Sequence, residues 1–197
     1  VTDPAGNESS ATDPGTVDTV NPYVCLEDTS VAEASGDTIT GRIQIASDVK
    51  TVTINGVNVE SATADSPVVI QTANGNLSIT GISNNVVNYT YTENGQAKDH
   101  SAGDSSVVDR FTVEVKDAAG NSASNVLDIT ITDTTPVAVN DVNSLSEDTS
   151  ATNGDVLAND TTGADKPVVV TAESSSGQYG QLTLNSDGTY TYALNTD

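Results

Sequence analysis

Short runs in which apolar and polar residues alternate fill the middle of the chain. In residues 111–116, FTVEVK, the apolar side chains occupy every second position, and residues 127–132, LDITIT, repeat this pattern. A period of two is that of a half-buried β-strand. Five further runs of this kind are separated by turn-forming pairs such as Asn-Gly, and they lie at residues 38–46, 50–55, 68–72, 77–82 and 87–92. The sequence therefore predicts an all-β fold in which about seven short antiparallel strands form a sandwich.

Two unlike motifs recur along the chain at nearly the same interval. Residues 1–9, VTDPAGNES, return as VKDAAGNSA at 115–123, and residues 27–30, EDTS, return unchanged at 147–150. The common interval indicates a repeating module of roughly 115–120 residues, which is within the range of an immunoglobulin-sized sandwich. We therefore expect the tail of one module at residues 1–19, a complete module at 20–133 and the first part of a third at 134–197.

The charge of the chain restricts what it can bind. There are 28 acidic residues against 6 Lys and Arg, which gives a formal net charge of −22. Nucleic acids and anionic membrane surfaces require clustered basic side chains, so neither is an expected partner. No stretch of 18 apolar residues is present, and no membrane insertion is expected. We therefore expect the folded chain to bind divalent cations, because they would offset the repulsion between its acidic side chains.

One candidate cation site lies in the repeated loop at residues 117–121, DAAGN. Asp117 and Asn121 offer two oxygen-bearing side chains four positions apart, with a glycine between them that permits a sharp turn. Oxygen ligands from neighbouring loop residues are what Ca²⁺ prefers. Asp3 and Asn7 are the equivalents in the first repeat. The same residues are also common in ordinary hairpin turns, so the pattern leaves both interpretations open.

A second candidate cation site lies at the boundary between modules. Its side chains would repel one another without a cation, and carboxylates from two modules could share an ion that fixes the angle between them. A solvated acidic linker is the alternative. The predicted ligands are Asp133, Asn140, Asp141, Glu147 and Asp148, with Glu27 and Asp28 as the equivalents one module earlier.

The single histidine, His100, lies beside Asp99 and Ser101 in a stretch rich in small polar residues. One histidine does not make a zinc site, and Cys25, the only cysteine, is distant in sequence. We interpret the stretch as a surface loop, and because no motif places a nucleophile, a base and an orienting group, we do not expect an enzyme.

Two segments carry a family resemblance. Residues 154–160, GDVLAND, followed by 180–192, GQLTLNSDGTYTY, resemble the VCBS repeat, a cadherin-like module of giant bacterial adhesins, and the DAAGN loop resembles the end of bacterial Ig-like repeats. The resemblance implies tandem Greek-key sandwiches of the Ig-like or cadherin-like kind, stiffened by Ca²⁺. It also implies an extracellular RTX-type adhesin on the bacterial cell surface, exported by type I secretion and acting in attachment and biofilm formation. The glycine-rich nonapeptides of RTX calcium rolls are absent.

Two functional hypotheses follow. The first is an extender module whose partners are neighbouring repeats of the same chain. The second is a sugar- or peptide-binding module that uses the loops around residues 99–104 of the same fold. Because the third module is incomplete, its unpaired strand edges could also exchange strands with another copy.

Overall fold

In a computed structural model, residues 19–100 and 102–196 are described, and their regular structure consists of fourteen strands. The first sheet has the spatial order β1 (Val24–Leu26), β3 (Thr38–Ile45), β8 (Val86–Glu93), β7 (Gly75–Ser83) and β6 (Val68–Gln71). The second has the order β2 (Thr29–Ala32), β10 (Ser122–Thr132), β9 (Ser106–Asp117), β4 (Val49–Ile54) and β5 (Val57–Asn58). All pairs in these two sheets are antiparallel except β2 with β10.

The strand order identifies the architecture. β1, β3, β8 and β7 form one sheet, and β10, β9 and β4 form the other. The consecutive strands β1 and β2 lie in different sheets. This is the A-B-E-D and G-F-C arrangement of immunoglobulin sandwiches. The all-β sandwich predicted from the alternating runs is therefore confirmed.

The inner faces of the two sheets form one apolar core. Phe111, Val113 and Val115 on β9 lie beside Leu127 and Ile129 on β10 on the inner face of the second sheet, and all five side chains have no exposed surface. Their polar neighbours point outwards, as the period-two pattern predicts. Within the described residues, every buried apolar side chain lies between positions 24 and 131.

The remaining described strands form a separate four-stranded antiparallel sheet with the order β11 (Ala151–Asp155), β14 (Thr189–Leu194), β13 (Gly180–Leu184) and β12 (Glu173–Ser176). β13 and β14 form a hairpin around Ser186. Leu182, Tyr190 and Tyr192 on this sheet are only half-buried. Strand exchange with another copy stays a prediction.

A glycine opposite a tyrosine recurs in the sheets. Gly41 on β3 pairs directly with Tyr89 on β8, and Gly154 pairs with Tyr190. A Cβ atom on Gly41 would overlap the Tyr89 ring, which is 2 % exposed. The tyrosine ring thus covers the space that the missing side chain leaves.

We expect Gly41→Ala to lower the free energy of unfolding by about 1–3 kcal/mol, because the buried Tyr89 ring must leave its position. Chemical denaturation of the first sandwich measures this change. Val126→Ala, at an exposed position on β10 of the same sandwich, is the control and should leave the stability nearly unchanged. Equal stability of Gly41→Ala and the wild type would contradict the packing argument.

Candidate metal centre

Three chain segments meet at the end of the first sandwich, where the chain continues towards residues 134–196. Glu33 directly follows β2, and its amide donates to the Thr132 carbonyl at 2.9 Å. His100 lies in the connection between β8 and β9, and Asp133 directly follows β10. One potential ligand atom from each of these three side chains lies within 4.8 Å of the others, and among the described residues no other group of three His, Cys, Asp or Glu side chains does this.

Glu33 is the buried member of the group, with 2 % of its surface exposed. Its carboxylate accepts hydrogen bonds from the Lys98 amide at 2.7 Å and the Thr134 amide at 3.3 Å. Burial acts to raise the pKa of Glu33, but these two amide bonds, helped by Asp133 and His100, outweigh it and the pKa lies below its usual value. The carboxylate is therefore held in place and held ionised by groups from two loops.

His100 is buried against these carboxylates, and its side chain is only 6 % exposed. Nε2 lies 3.5 Å from Oε2 of Glu33, and Nδ1 lies 3.5 Å from Oδ1 of Asp104. Neither ring nitrogen makes a hydrogen bond. Burial acts to lower the pKa of His100, but the negative charges of Asp133, Glu33 and Asp104 outweigh it and raise the pKa.

The stretch around His100 is an exposed loop, as the sequence predicts, but the imidazole itself points inwards. The sequence around Glu33 did not indicate that it lies beside His100 and Asp133, because EASG at 33–36 is typical of an ordinary turn. Only the fold brings together three residues that are far apart in the sequence.

Asp133 completes the group and is half-exposed. Its amide donates to the Ser105 carbonyl at 3.0 Å. A hydrogen bond with the Glu33 carboxyl raises the pKa of Asp133, and burial and the charge of Glu33 act in the same direction. The two carboxyl groups thus compete for one proton, as expected for like charges in contact.

A buried ion pair supports the loop that carries His100. Lys98 Nζ lies 2.5 Å from Oε1 of Glu93, and the two side chains are 6 % and 0 % exposed. Glu93 also accepts hydrogen bonds from the amides of Gly36 at 3.0 Å and Gly95 at 2.7 Å. Lys98 therefore fixes the loop twice, through its side chain to Glu93 and through its amide to Glu33.

The predicted calcium loop at residues 117–121 is closed by its own hydrogen bonds. The Asp117 carboxylate accepts from the Asn121 amide at 2.9 Å and from Asn121 Nδ2 at 2.8 Å. The side-chain bond from Asn121 is the main cause that lowers the pKa of Asp117. Asp117 is 6 % exposed, so its carboxylate acts here as the buried acceptor that holds a turn.

The structure does not bring the other predicted ligands into such a group. Glu27, Asp28, Asn140, Asp141, Glu147 and Asp148 are all exposed. Asp28 accepts a hydrogen bond from the Asp128 amide at 3.0 Å. Asp3 and Asn7 lie outside the described residues. Calcium binding at these positions stays a prediction.

Comparison with known proteins gives a family for the last third of the chain. Residues 133–197 match the sequence family described as bacterial Ig domain. No curated protein matches the chain. No helix within the described residues is long and apolar enough to cross a membrane.

Solved structures with a similar arrangement include titin domains Z1Z2 in complex with telethonin, at 17 % identity and a TM-score of 0.47, covering 91 % of this chain and 84 % of that one. Another is the SrpA adhesin from Streptococcus sanguinis, at 16 % identity and a TM-score of 0.31, covering 90 % and 93 %.

Proposed function

We propose that the chain is an extender segment of a large secreted or cell-surface bacterial adhesin, in which tandem sandwiches serve as spacers and support attachment and biofilm formation. The observation that carries this proposal is the order of two units. An immunoglobulin-type sandwich ends at Thr132, and residues 133–197, which match a bacterial Ig domain, follow directly in the sequence. Tandem modules of this kind suit a protein whose task is to span distance.

The same proposal includes calcium as the stabilising ion and an RTX-type, VCBS-containing parent protein. The net charge of −22 supports a cation requirement, because folding collects carboxylates that the unfolded chain keeps apart. Four oxygen-bearing side chains in the joint, Asn140, Asp141, Glu147 and Asp148, are exposed and available as ligands. Oxygen-only ligand sets of this kind suit Ca²⁺.

We expect millimolar Ca²⁺ to raise the melting temperature of the chain by several degrees over a sample in EDTA. A ligand present at a hundredfold excess over its Kd adds about 2.7 kcal/mol to the free energy of unfolding. NaCl at matched ionic strength should give a much smaller rise, because screening does not supply coordination. Thermal melts in the three buffers make the comparison.

A pair of double variants distinguishes the loss of calcium ligands from the loss of negative charge alone. Asp141→Asn/Asp148→Asn should weaken the calcium response, whereas Asp48→Asn/Asp65→Asn removes the same charge from exposed positions elsewhere and should retain it. Equal melting temperatures in calcium and in matched salt would show that the acidic residues form only a solvated surface.

The alternative of a ligand-binding module around residues 99–104 has less support. His100, in this loop, and Lys98, just before it, turn their side chains inwards to Glu33 and Glu93. Deletion of the loop would therefore remove structural contacts together with any ligand contacts. A glycan or peptide array probed with the intact chain is the appropriate test, and saturable binding there would favour the alternative.

A further inference from the structure

We propose that Glu33, His100 and Asp133 form a binding site for a divalent transition-metal ion of the zinc type. This site does not depend on the extender proposal, and Asp133 is the one residue it shares with the calcium ligands predicted for the joint. It is argued from the ligand chemistry, from the unsatisfied imidazole and from the contacts around the ligands.

The chemistry of the ligands favours zinc over calcium. The group offers one imidazole nitrogen and two carboxylates. Ca²⁺ takes six to eight oxygen ligands, whereas Zn²⁺ binds imidazole and carboxylate together and is commonly held by three protein ligands with a fourth position open to water. The buried imidazole of His100, which lies between carboxylates, is therefore the ligand that favours zinc over calcium.

The geometry of the group is close to what such an ion requires. Ligand atoms bound tetrahedrally at about 2.0–2.1 Å lie about 3.3–3.4 Å apart. Nε2 of His100 and Oε2 of Glu33 are separated by 3.5 Å. The third ligand, Asp133, is half-buried, and its carboxylate oxygen lies within 4.8 Å of the ligand atoms of the other two.

The imidazole is also unsatisfied where it lies. The His100 side chain is 6 % exposed and neither of its nitrogens makes a hydrogen bond. Each nitrogen has only an ion-pair contact, to Glu33 or to Asp104 at 3.5 Å, whereas most buried polar groups in folded proteins make a hydrogen bond. A metal ion between Nε2 and the two carboxylates would bind Nε2 directly.

Groups around the three proposed ligands are placed as the groups that hydrogen-bond to metal ligands usually are. Ligating carboxylates are usually hydrogen-bonded, and Glu33 accepts from the amides of Lys98 and Thr134. A ligating histidine usually directs its second nitrogen to a carboxylate, and Nδ1 of His100 lies 3.5 Å from Asp104. In a zinc-bound form the proton would stay on Nδ1 beside Asp104, and Nε2, which lies on the side of Glu33, would be the ligating atom.

Because Thr134 binds Glu33 and Asp133 is itself a ligand, the ion would connect three parts of the chain. These are the turn after β2, the loop between β8 and β9, and the residues that leave the sandwich after β10. The metal would thus fix the exit of the sandwich at the point where the second unit begins.

The single histidine makes a direct test possible. We expect one equivalent of Zn²⁺, added to the ¹⁵N-labelled full chain with Cys25→Ser, to move the Nε2 resonance of His100 into the metal-bound range while Nδ1 stays protonated. The Cys25 substitution removes the exposed thiol as a competing ligand. An unchanged imidazole spectrum in the folded chain would overturn the proposal, and this readout requires no substitution at the site.

Variants provide the second arm of the test. His100→Gln should weaken zinc binding by more than about tenfold, and Asp104→Asn, which alters only the outer contact, by about tenfold. A zinc-induced rise in melting temperature that persists in His100→Gln would assign the binding to other carboxylates and overturn the site. The calcium response of His100→Gln should match that of the wild type, so failure of the zinc site and failure of the calcium proposal are distinguishable.

Discussion

Lys98→Met is expected to lower the free energy of unfolding of the first sandwich by about 3–5 kcal/mol, because it leaves a buried carboxylate without its cation. The Glu93 side chain has no exposed surface, and only the amides of Gly36 and Gly95 would still compensate its charge. For a unit of this size the loss corresponds to a fall in melting temperature of more than about 10 °C. Urea denaturation with an unchanged m-value would attribute the effect to the folded state.

Two variants test whether the unpaired charge is the cause. Glu93→Gln/Lys98→Met removes both charges, and we expect it to recover at least half of the lost stability. Arg110→Met breaks an ion pair with Asp128 in which the arginine side chain is 70 % exposed, and it should cost less than about 1 kcal/mol. A Lys98→Met variant no less stable than Arg110→Met would contradict the assignment of a buried pair.

The contribution of the Glu93–Lys98 ion pair to the free energy of unfolding should decrease at acidic pH. Burial opposes ionisation of Glu93, but the Lys98 bond and the two amide bonds outweigh it, so its pKa in the folded chain lies below the ordinary value of 4.5. A lowered pKa contributes stability above pH 4.5 that is lost as the pH falls through the folded value. The stability difference between the wild type and Lys98→Met should therefore shrink on acidification below pH 4.5.

The interior strands were predictable from the sequence because one face of each is buried. The apolar side chains at 111, 113 and 115 have no exposed surface, and a period of two is the direct sign of that arrangement. The short edge strands β1, β2 and β5 were not predictable. β2 has four residues, and it is defined by its parallel pairing with residues 129–132, about a hundred positions away. No local pattern in Thr29–Ala32 carries that information.

The candidate site was less predictable than the fold for the same physical reason. The sequence argument found oxygen ligands that are neighbours in the chain, such as Asp117 and Asn121, and the structure shows these two bonded to each other. Glu33, His100 and Asp133 are single residues in three separate segments. The parallel pairing of β2 with β10 places Glu33 and Asp133 side by side, and the loop between β8 and β9 brings His100 to them.

The core of the first sandwich, which positions the strands next to Glu33 and Asp133, contains a large aromatic side chain whose loss should be costly. Phe111 is the only phenylalanine in the chain, has no exposed surface and contacts the Tyr91 ring edge to face, with centroids 6.2 Å apart. With aromatic residues at 4 % of the chain, few other large side chains are available to fill the space. We therefore expect Phe111→Ala to lower the free energy of unfolding by about 3–5 kcal/mol, through lost burial and a residual cavity.

The Tyr91 hydroxyl restricts how far the core can collapse around that cavity. It donates to Oδ2 of Asp109 at 2.6 Å, and Asp109, itself 6 % exposed, also accepts from Asn74 at 2.7 Å. A ring held at its hydroxyl cannot tilt far towards position 111, so the cost of Phe111→Ala should lie near the upper end of the range. Val126→Ala, at a position 41 % exposed on β10, is the control and should stay within about 0.5 kcal/mol of the wild type. If Phe111→Ala instead cost less than about 1 kcal/mol by urea denaturation, the Tyr91 ring would have to be free to fill the space, and the Tyr91–Asp109 bond could not be the constraint inferred here.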